Sequence, residues 1–225
     1  MNSREILTFL KTPLDTTHGE IFHKLIQEIK TLEGKLNHCE RPNWSTLARA
    51  RLFASTTNTK VVTDSLYKWD AANQYISREI QNDSNLDINL VSKINAILIG
   101  DEDNIRSGPI YCNDISYIDA SFIEDATQDF SNLILRGNFS CTFEKAFHIY
   151  LWLTTLHIFK DGNGRTGRLA ADFILMKEGK LPICFESTVD AQVAQLQEKK
   201  VRSKEESYLK FLKAVRRSYL ILTSP

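Results

Sequence analysis

The sequence predicts a mostly α-helical fold in a single domain, with one small β-hairpin. Residues that typically begin or end helices recur along the chain, and apolar residues follow them at spacings of three and four, the period of a helix face. One short segment, 110–117, is instead rich in β-branched and aromatic residues. No internal repeat or linker divides the 225 residues, and a chain of this length buries one sizeable core.

Three helices are expected in the first eighty residues. The tetrapeptide from Thr17 to Glu20 is typical of a capping box and begins a helix that runs through Leu36. Further helices are predicted at 42–54 and 64–80. The apolar face of the first of these helices is expected to comprise Ile21, Leu25, Ile26 and Ile29.

Asp87 is the expected cap of a fourth helix, which ends at Gly100. We interpret its apolar stripe as a core face formed by Leu90, Val91, Ile94, Ile97 and Leu98. The hairpin follows at 110–117, with Asn113 and Asp114 as a two-residue turn between two short strands.

Three more helices are predicted after the hairpin. The long apolar run 143–159 suits a buried helix with Thr142 as its cap and Glu144 in its first turn. A second helix is expected at 165–177 and stops at Gly179. The last begins at a capping box in 203–206 and carries an apolar stripe of Tyr208, Leu212, Val215, Tyr219 and Leu222.

Composition narrows the class of protein. Lys plus Arg and Asp plus Glu are 28 each, and this zero net charge argues against a general nucleic-acid binder. The N terminus lacks the pattern of a secretory signal, and the most apolar segment is too short to span a bilayer. Four scattered cysteines without CxxC spacing suggest reduced thiols. We therefore expect a cytoplasmic protein that binds neither nucleic acid nor membrane, with export by a route without such a signal left open.

The glycine-rich stretch at 157–168, HIFKDGNGRTGR, lies between two predicted helices. The turn 162–164 leads into a helix N terminus, where free N–H groups and the macrodipole favour an anion. Arg165 and Arg168, three residues apart, are expected to share a face and clamp a polyphosphate. Asp161 offers a hard oxygen ligand for Mg²⁺, and His157 is a candidate general base.

The same letters match a dinucleotide-binding fingerprint, GxGxxG, with Glu186 at about the spacing of the ribose-binding acid. That fingerprint must directly follow a strand in a βαβ unit, whereas a helix-length apolar segment precedes it here. A Walker A loop is excluded because no Gly-Lys-Ser/Thr follows. Taken singly, each polar residue of the stretch has an ordinary structural explanation, and we interpret His148 in this way, as a satisfied core or capping histidine.

The stretch resembles the signature of the Fic family, HxFx(D/E)GNGRxxR, at all eight specified positions. These positions are His157, Phe159, Asp161, Gly162, Asn163, Gly164, Arg165 and Arg168. The resemblance extends loosely over 87–179 and implies a Fic-type helical bundle. It divides the chain into an N-terminal helical region (1–86), a Fic core (87–180) and a C-terminal helical region (181–225).

The resemblance also implies an activity and a role for each motif residue. Fic enzymes mostly transfer AMP from ATP, with Mg²⁺, to a hydroxyl side chain of a target protein. His157 would be the general base, Asp161 the Mg²⁺ ligand and Phe159 an anchor in the core. The phosphates would be held by Gly162, Asn163, Gly164, Arg165 and Arg168. The hairpin resembles the family's flap, on which a target segment docks by strand pairing, and its residues would be Ile110, Tyr111, Cys112, Ile115 and Tyr117.

Many Fic proteins carry an inhibitory helix with the pattern (S/T)xxxE(G/N), whose glutamate pairs with the second arginine of the motif. The segment that begins at Ser55 resembles it in degenerate form, with Thr59 at the glutamate position and Lys60 at the glycine position. We therefore expect no such pairing with Arg168, and either constitutive activity or another form of restraint.

The sequence thus predicts a protein AMP-transferase that modifies a Ser, Thr or Tyr hydroxyl of a target protein. One alternative is a Fic-fold enzyme that uses another donor, such as UTP or a choline-bearing nucleotide, or that removes AMP. A second is a nucleotide-binding interaction module of a toxin–antitoxin pair. The target and the oligomeric state are not predicted.

Overall fold

Helices dominate the computed structural model, which describes residues 2–15, 19–40, 42–53, 62–112, 115–187, 196–197, 200–201 and 203–224. The first five are α1 (Ser3–Lys11), α2 (Gly19–Leu36), α3 (Trp44–Phe53), α4 (Val62–Gln81) and α5 (Ile88–Ile99). The other four are α6 (Ile123–Arg136), α7 (Thr142–Leu156), α8 (Asn163–Lys177) and α9 (Lys204–Thr223). A 3₁₀ turn, Ala120–Phe122, precedes α6. The prediction of a mostly α-helical fold is confirmed.

The centre of the core is the pair α7 and α8. Most residues of both helices are buried, as a long apolar run requires. Gly167 lets the two helices approach closely, because a Cβ there would lie 3.1 Å from Thr154 Cγ2 and 3.2 Å from Tyr150 Cδ2. The α7–α8 pair thus holds the 157–162 turn between two tightly packed helix ends.

Helix α2 packs along α9, and its buried face differs from the predicted one. Ile21 is 52% exposed, so its assignment to the core was wrong, whereas Phe22 is buried against Tyr208 with ring centroids 4.9 Å apart. A one-residue shift rotates a side chain by about 100° around the helix axis, and the position of α9 selects the Phe22 side. The predicted stripe of α9 is buried throughout.

Helix α5 has the predicted ends. The Asp87 side chain accepts the Leu90 N–H at 2.7 Å, and Gly100 ends the helix in the left-handed conformation with φ 78°. The first turn of α7 differs from the prediction, since Thr142 lies inside the helix and Cys141 occupies the cap position without a side-chain cap bond. Glu144 instead accepts the Ser140 N–H at 2.8 Å, so the first turn is closed from within the helix.

Two helices were not predicted. In α1 the side chains of Asn2 and Glu5 form a reciprocal capping box, which the spacing Asn-x-x-Glu could have indicated. Helix α6 buries one face at spacings of three and four, the usual period of an amphipathic helix. That face comprises Ile123, Ala126, Phe130 and Ile134.

The described residues also contain two short antiparallel strand pairs. In the predicted hairpin, Tyr111 pairs with Ser116 and Cys112 with Ile115, whereas the predicted turn at Asn113 and Asp114 lies outside the described residues, as does the cap at Thr17. A second pair, Leu196–Gln197 with Lys200–Val201, was not predicted because the segment lacks a turn signal.

The dinucleotide-binding alternative is wrong, because the helix α7, and not a strand, precedes the glycine turn. Glu186 is exposed beyond the end of α8. In the part of the chain that the structure describes, no helix is both long enough and apolar enough to span a bilayer.

His148 on α7 is buried as predicted, but it is not satisfied. Its Nδ1 has no hydrogen-bond partner among the described residues, and its ring packs between the rings of Phe139 and Phe147. Burial, assisted by the charge of Lys204 and opposed by Glu144, lowers the pKa of His148 to about 4. Between pH 4 and 6.5 this imidazole is therefore mostly neutral in the folded protein, whereas it is mostly protonated in the unfolded chain.

We expect His148 to make the folded state sensitive to acid. Its pKa is about 4 when folded and near 6.5 when unfolded, so the stabilisation is present above pH 6.5 and is lost as the pH falls towards 4. One such group contributes up to about 3 kcal/mol. Urea denaturation between pH 4 and 7 should show a shallower pH slope for His148→Met. His23→Gln, at an exposed position of α2, is the control, and a His148→Met slope equal to that of the wild type would contradict this assignment.

Candidate active site

His157 ends α7 in the left-handed conformation, with φ 49° and ψ 53°. Among the described residues, Asp83 is the other non-glycine residue with positive φ. Such a conformation costs on the order of 1–3 kcal/mol and persists only where surrounding contacts enforce it. The strained backbone turns the chain sharply from α7 towards α8.

The imidazole of His157 has a defined tautomer. Its Nδ1 lies 2.6 Å from the Thr154 carbonyl oxygen, and because a carbonyl only accepts, Nδ1 carries the proton and Nε2 keeps its lone pair. The ring of Tyr117 stacks on the imidazole, with centroids 3.7 Å apart and planes 27° apart. Burial lowers the pKa of His157 to about 4; Arg106 adds to this effect, and the Thr154 hydrogen bond and Asp161 oppose it. The residue is therefore neutral at pH 7, as a proton acceptor must be.

Asn163 holds the turn together with two hydrogen bonds. Its Oδ1 accepts the Phe159 N–H at 3.0 Å, and its Nδ2 donates to the Phe159 carbonyl at 2.9 Å. Phe159 itself is fully buried, in the position that the sequence suggested for an anchor. Because the Asn163 side chain is used within the turn, its backbone N–H is the group that remains for an anion.

The N terminus of α8 has no side-chain cap. The Thr166 N–H donates to the Gly162 carbonyl at 2.8 Å, so the backbone N–H groups of 163–165 precede the first intrahelical bond. Together with the macrodipole of a fifteen-residue helix, these groups make a site for a negative charge. These N–H groups are the backbone donors on which the predicted anion site depends.

Asn95 supports the turn from α5, and sequence reasoning missed it. Its Nδ2 donates to the Asp161 carbonyl at 2.8 Å and to Thr166 Oγ1 at 2.9 Å. The residue is completely buried within a stripe that we interpreted as purely apolar. A lone asparagine inside such a stripe was the available signal, because a buried amide needs polar partners.

Asp161 projects into solvent, with 79% of its side chain exposed. One carboxylate oxygen accepts the Gly162 N–H at 2.5 Å, and the other lies 3.5 Å from the Arg165 guanidinium. No group of three or more His, Cys, Asp or Glu side chains suited to a metal occurs in the described ranges. A Mg²⁺ ion would fit here only with one carboxylate and additional oxygens from a ligand, which is how Mg²⁺ usually binds beside phosphates.

The two arginines of the motif are not equivalent. Arg165 keeps 23% of its side chain exposed, whereas Arg168 is buried and its guanidinium lies 5.7 Å from the ring centroid of Trp69 on α4. Arg51 of α3 lies on the same ring, 6.0 Å away, and forms an ion pair with the buried carboxylate of Asp172. On the helix face that the two arginines share, Arg165 is therefore partly exposed to solvent, whereas Arg168 is covered by Trp69. Sequence reasoning found neither Arg51, Trp69 nor Asp172, because no motif connects them.

The predicted flap lies beside His157. A bridge between Ile105 and Phe159 and the 3.1 Å bond from the Arg106 N–H to the Ile158 carbonyl align the segment before the hairpin with the motif. Ile110 and Tyr117, at its two ends, are partly exposed. The side chains of Tyr111, Cys112 and Ile115 lie outside the described residues, as do Ser55, Thr59 and Lys60 of the proposed inhibitory segment.

Two glycines of the turn should respond differently to alanine. Gly162 has φ +75°, and its Cβ would lie 3.0 Å from Asn95 Nδ2 and 3.1 Å from Ile99 Cγ2. We expect Gly162→Ala to lower the free energy of unfolding by about 1–3 kcal/mol. A Cβ at Gly164 meets nothing within 4 Å, so Gly164→Ala should leave stability unchanged or slightly raised. Urea denaturation of both variants checks this, and an equal loss in the two would contradict the geometry.

Helix α7 thus ends in the left-handed His157, and the chain turns through Gly162 into the uncapped N terminus of α8. The profile of the Fic/DOC family matches residues 85–175, which contain α5, the hairpin and the whole turn. Residues 85–175 therefore form a Fic/DOC family domain. No protein with curated annotation matches the chain by sequence.

Solved Fic structures share the fold. IbpAFic2 covalently tethered to Cdc42 is 15% identical with a TM-score of 0.63, over 96% of this chain and 76% of that one. Fic-1 from C. elegans is 17% identical with a TM-score of 0.63, over 89% and 70% of the two chains. A Fic domain containing signaling protein from Bacteroides thetaiotaomicron is 16% identical with a TM-score of 0.61, over 87% and 95%. At these identities the similarity concerns the fold.

Proposed function

We propose that the protein transfers AMP from ATP to a hydroxyl side chain of a target protein. The observation that carries the proposal is the neutral His157, whose Nε2 lone pair is free while its Nδ1 is held by Thr154. A proton acceptor beside an open helix N terminus suits the attack of a hydroxyl on a phosphate.

The reaction forms a bond between the target oxygen and the α-phosphorus and breaks the bond from that phosphorus to the bridging oxygen. Pyrophosphate leaves, and His157 Nε2 accepts the hydroxyl proton. The pKa of His157, about 4, makes it a weak base in the free protein. A bound triphosphate adds negative charge next to the imidazole, which raises its pKa and strengthens the base.

The phosphates would bind to the backbone N–H groups of 163–165, with Arg165 at their side. Asp161 would hold Mg²⁺ together with phosphate oxygens, and the ion would neutralise their charge. For binding, Asp161 must exchange its 3.5 Å contact with Arg165 for the cation, which its exposure permits. Arg168 would reach the terminal phosphate only if it left the Trp69 ring, so we assign the main phosphate contacts to the helix N terminus and Arg165.

A protein target is supported by the hairpin next to His157, whose short strands offer an edge for a third strand. A histidine-to-alanine variant of IbpAFic2 has been solved in complex with adenylylated Cdc42; it is 15% identical with a TM-score of 0.62, over 95% of this chain and 75% of that one. The likeness of fold supports a macromolecular acceptor for this chain as well.

Two samples of ATP, labelled on the α- or the γ-phosphate, test the proposal. The protein is incubated with each and Mg²⁺ in a cell lysate, and label on protein is measured. Transfer of the α-label alone supports an AMP-transferase, and competition by UTP or CDP-choline reports the preferred donor. Transfer of the γ-label above the level in lysate without the protein, or an increase of neither label, contradicts the proposal. Gly164→Ala is a further control, because it should weaken ATP binding without loss of stability.

A further inference from the structure

Arg106 is a buried cation whose side chain binds three backbone carbonyls. Its Nε donates to His157 at 2.5 Å, one terminal nitrogen to Gly108 at 2.8 Å and the other to Ile118 at 2.5 Å. Only 5% of the residue is exposed. A buried guanidinium loses its hydration, and this loss is tolerable only where the protein supplies acceptors in matching directions.

The three carbonyls connect separate parts of the site. His157 is the left-handed end of α7, whereas Gly108 lies three residues before the first strand of the hairpin and Ile118 two residues after its second strand. The backbone of Arg106 adds a further link to the motif, since its N–H donates to the Ile158 carbonyl at 3.1 Å. One side chain therefore joins the strained histidine to both ends of the proposed docking hairpin.

We propose that Arg106 is a positioning residue, which holds His157 in its productive conformation and couples it to the hairpin on which a target binds. The inference rests on the proposed transfer reaction. Arg106 donates a hydrogen bond to the carbonyl of His157 and not to its ring, so it positions the histidine through the backbone. Small displacements of an oriented catalytic group reduce rates by up to about 100-fold.

A purely structural role for Arg106 makes different predictions. In the described part of the chain, the charged groups that face His157 are Arg106, from the segment before the hairpin, and Asp161, from the turn. Tyr117 contributes an uncharged ring. Because the Arg106 charge disfavours the protonated imidazole, its removal should raise the pKa of His157. A loss of stability alone would leave the pKa of His157 unchanged.

The test uses Arg106→Met, which removes the charge, and Arg106→Lys, which keeps it but cannot reach three carbonyls. Arg217→Met is the matched control, since Arg217 donates to the Phe185 carbonyl at 2.8 Å, away from His157. Steady-state transfer and the NMR titration of the His157 ring are measured for each folded variant.

For Arg106→Met we expect kcat to fall by about 100-fold with KM for ATP within about threefold, and partial recovery in added guanidinium. The His157 titration should move to higher pH in this variant. Arg106→Lys should lose about tenfold in kcat, with a titration close to that of the wild type. Arg217→Met should match the wild type in both measurements. If Arg106→Met does not fold, the kcat of Arg106→Lys tests the proposal instead.

The outcomes separate the two proposals. If the wild type transfers AMP while both Arg106 variants keep their kcat, Arg106 has no positioning role. A fall in kcat without recovery in guanidinium and without a shift of the His157 titration equally overturns it. If the wild type transfers no nucleotide, the proposed function fails, and the His157 titration alone then decides whether Arg106 acts on the histidine.

Discussion

Replacement of His157 by asparagine is expected to reduce the proposed AMP transfer by about 10²–10⁴-fold, the usual contribution of a general base. The reason is that an amide cannot accept the hydroxyl proton. Asparagine is the most informative substitution, because it tolerates the left-handed conformation at φ 49° better than alanine does. Transfer of α-labelled phosphate in single turnover, at saturating ATP, measures the loss.

The control for this variant is His23→Asn, which changes an exposed histidine of α2. Thermal unfolding of His157→Asn should resemble that of the wild type, so a fall in rate is attributed to chemistry. The dissociation constant for ATP should change little, since the proposed mechanism places the phosphates at the N terminus of α8. A variant that keeps more than about a tenth of the wild-type rate would contradict the role of His157 as the base.

The largest effect on stability is expected for Asp172→Ala. The carboxylate of Asp172 is completely buried, pairs with Arg51 and accepts the Ile183 N–H at 2.7 Å. Removing one partner of a buried ion pair costs about 3–5 kcal/mol, because the other charge remains without compensation. Two guanidinium groups, those of Arg51 and Arg168, lie near this carboxylate. We therefore expect the midpoint of thermal unfolding to fall by about 10 °C.

Two further variants define the origin of this loss. Asp64→Ala removes a carboxylate that pairs with Lys68 at 2.9 Å at an exposed position, and it should cost less than about 1 kcal/mol. The double variant Arg51→Met with Asp172→Leu should recover part of the stability, since it removes both charges. If Asp172→Ala and Asp64→Ala lower the free energy of unfolding equally, the buried ion pair contributes no more to stability than the exposed one.

The local features of the fold were largely accessible from the sequence. The caps of α5 and the buried stripe of α9 were predicted because a cap or a helix face is defined by residues within a few positions of one another. The same holds for the 157–168 motif, whose residues are contiguous and whose turn depends on their own backbone. The exposure of Ile21 could not be predicted in this way. Periodicity defines an apolar side of α2, but the partner helix decides which residues of α2 are buried.

What the sequence alone determined is therefore a mostly helical Fic-type fold and the position of one short motif turn, since both are encoded by neighbouring residues. The tertiary structure decided what surrounds that turn. Asn95 beneath it, Arg106 on the His157 carbonyl and Trp69 over Arg168 come from three distant segments. Their contacts depend on how the helices pack, and single buried polar groups at irregular spacing leave no periodic trace in a sequence. The environment that makes His157 neutral and oriented is for this reason a property of the folded chain.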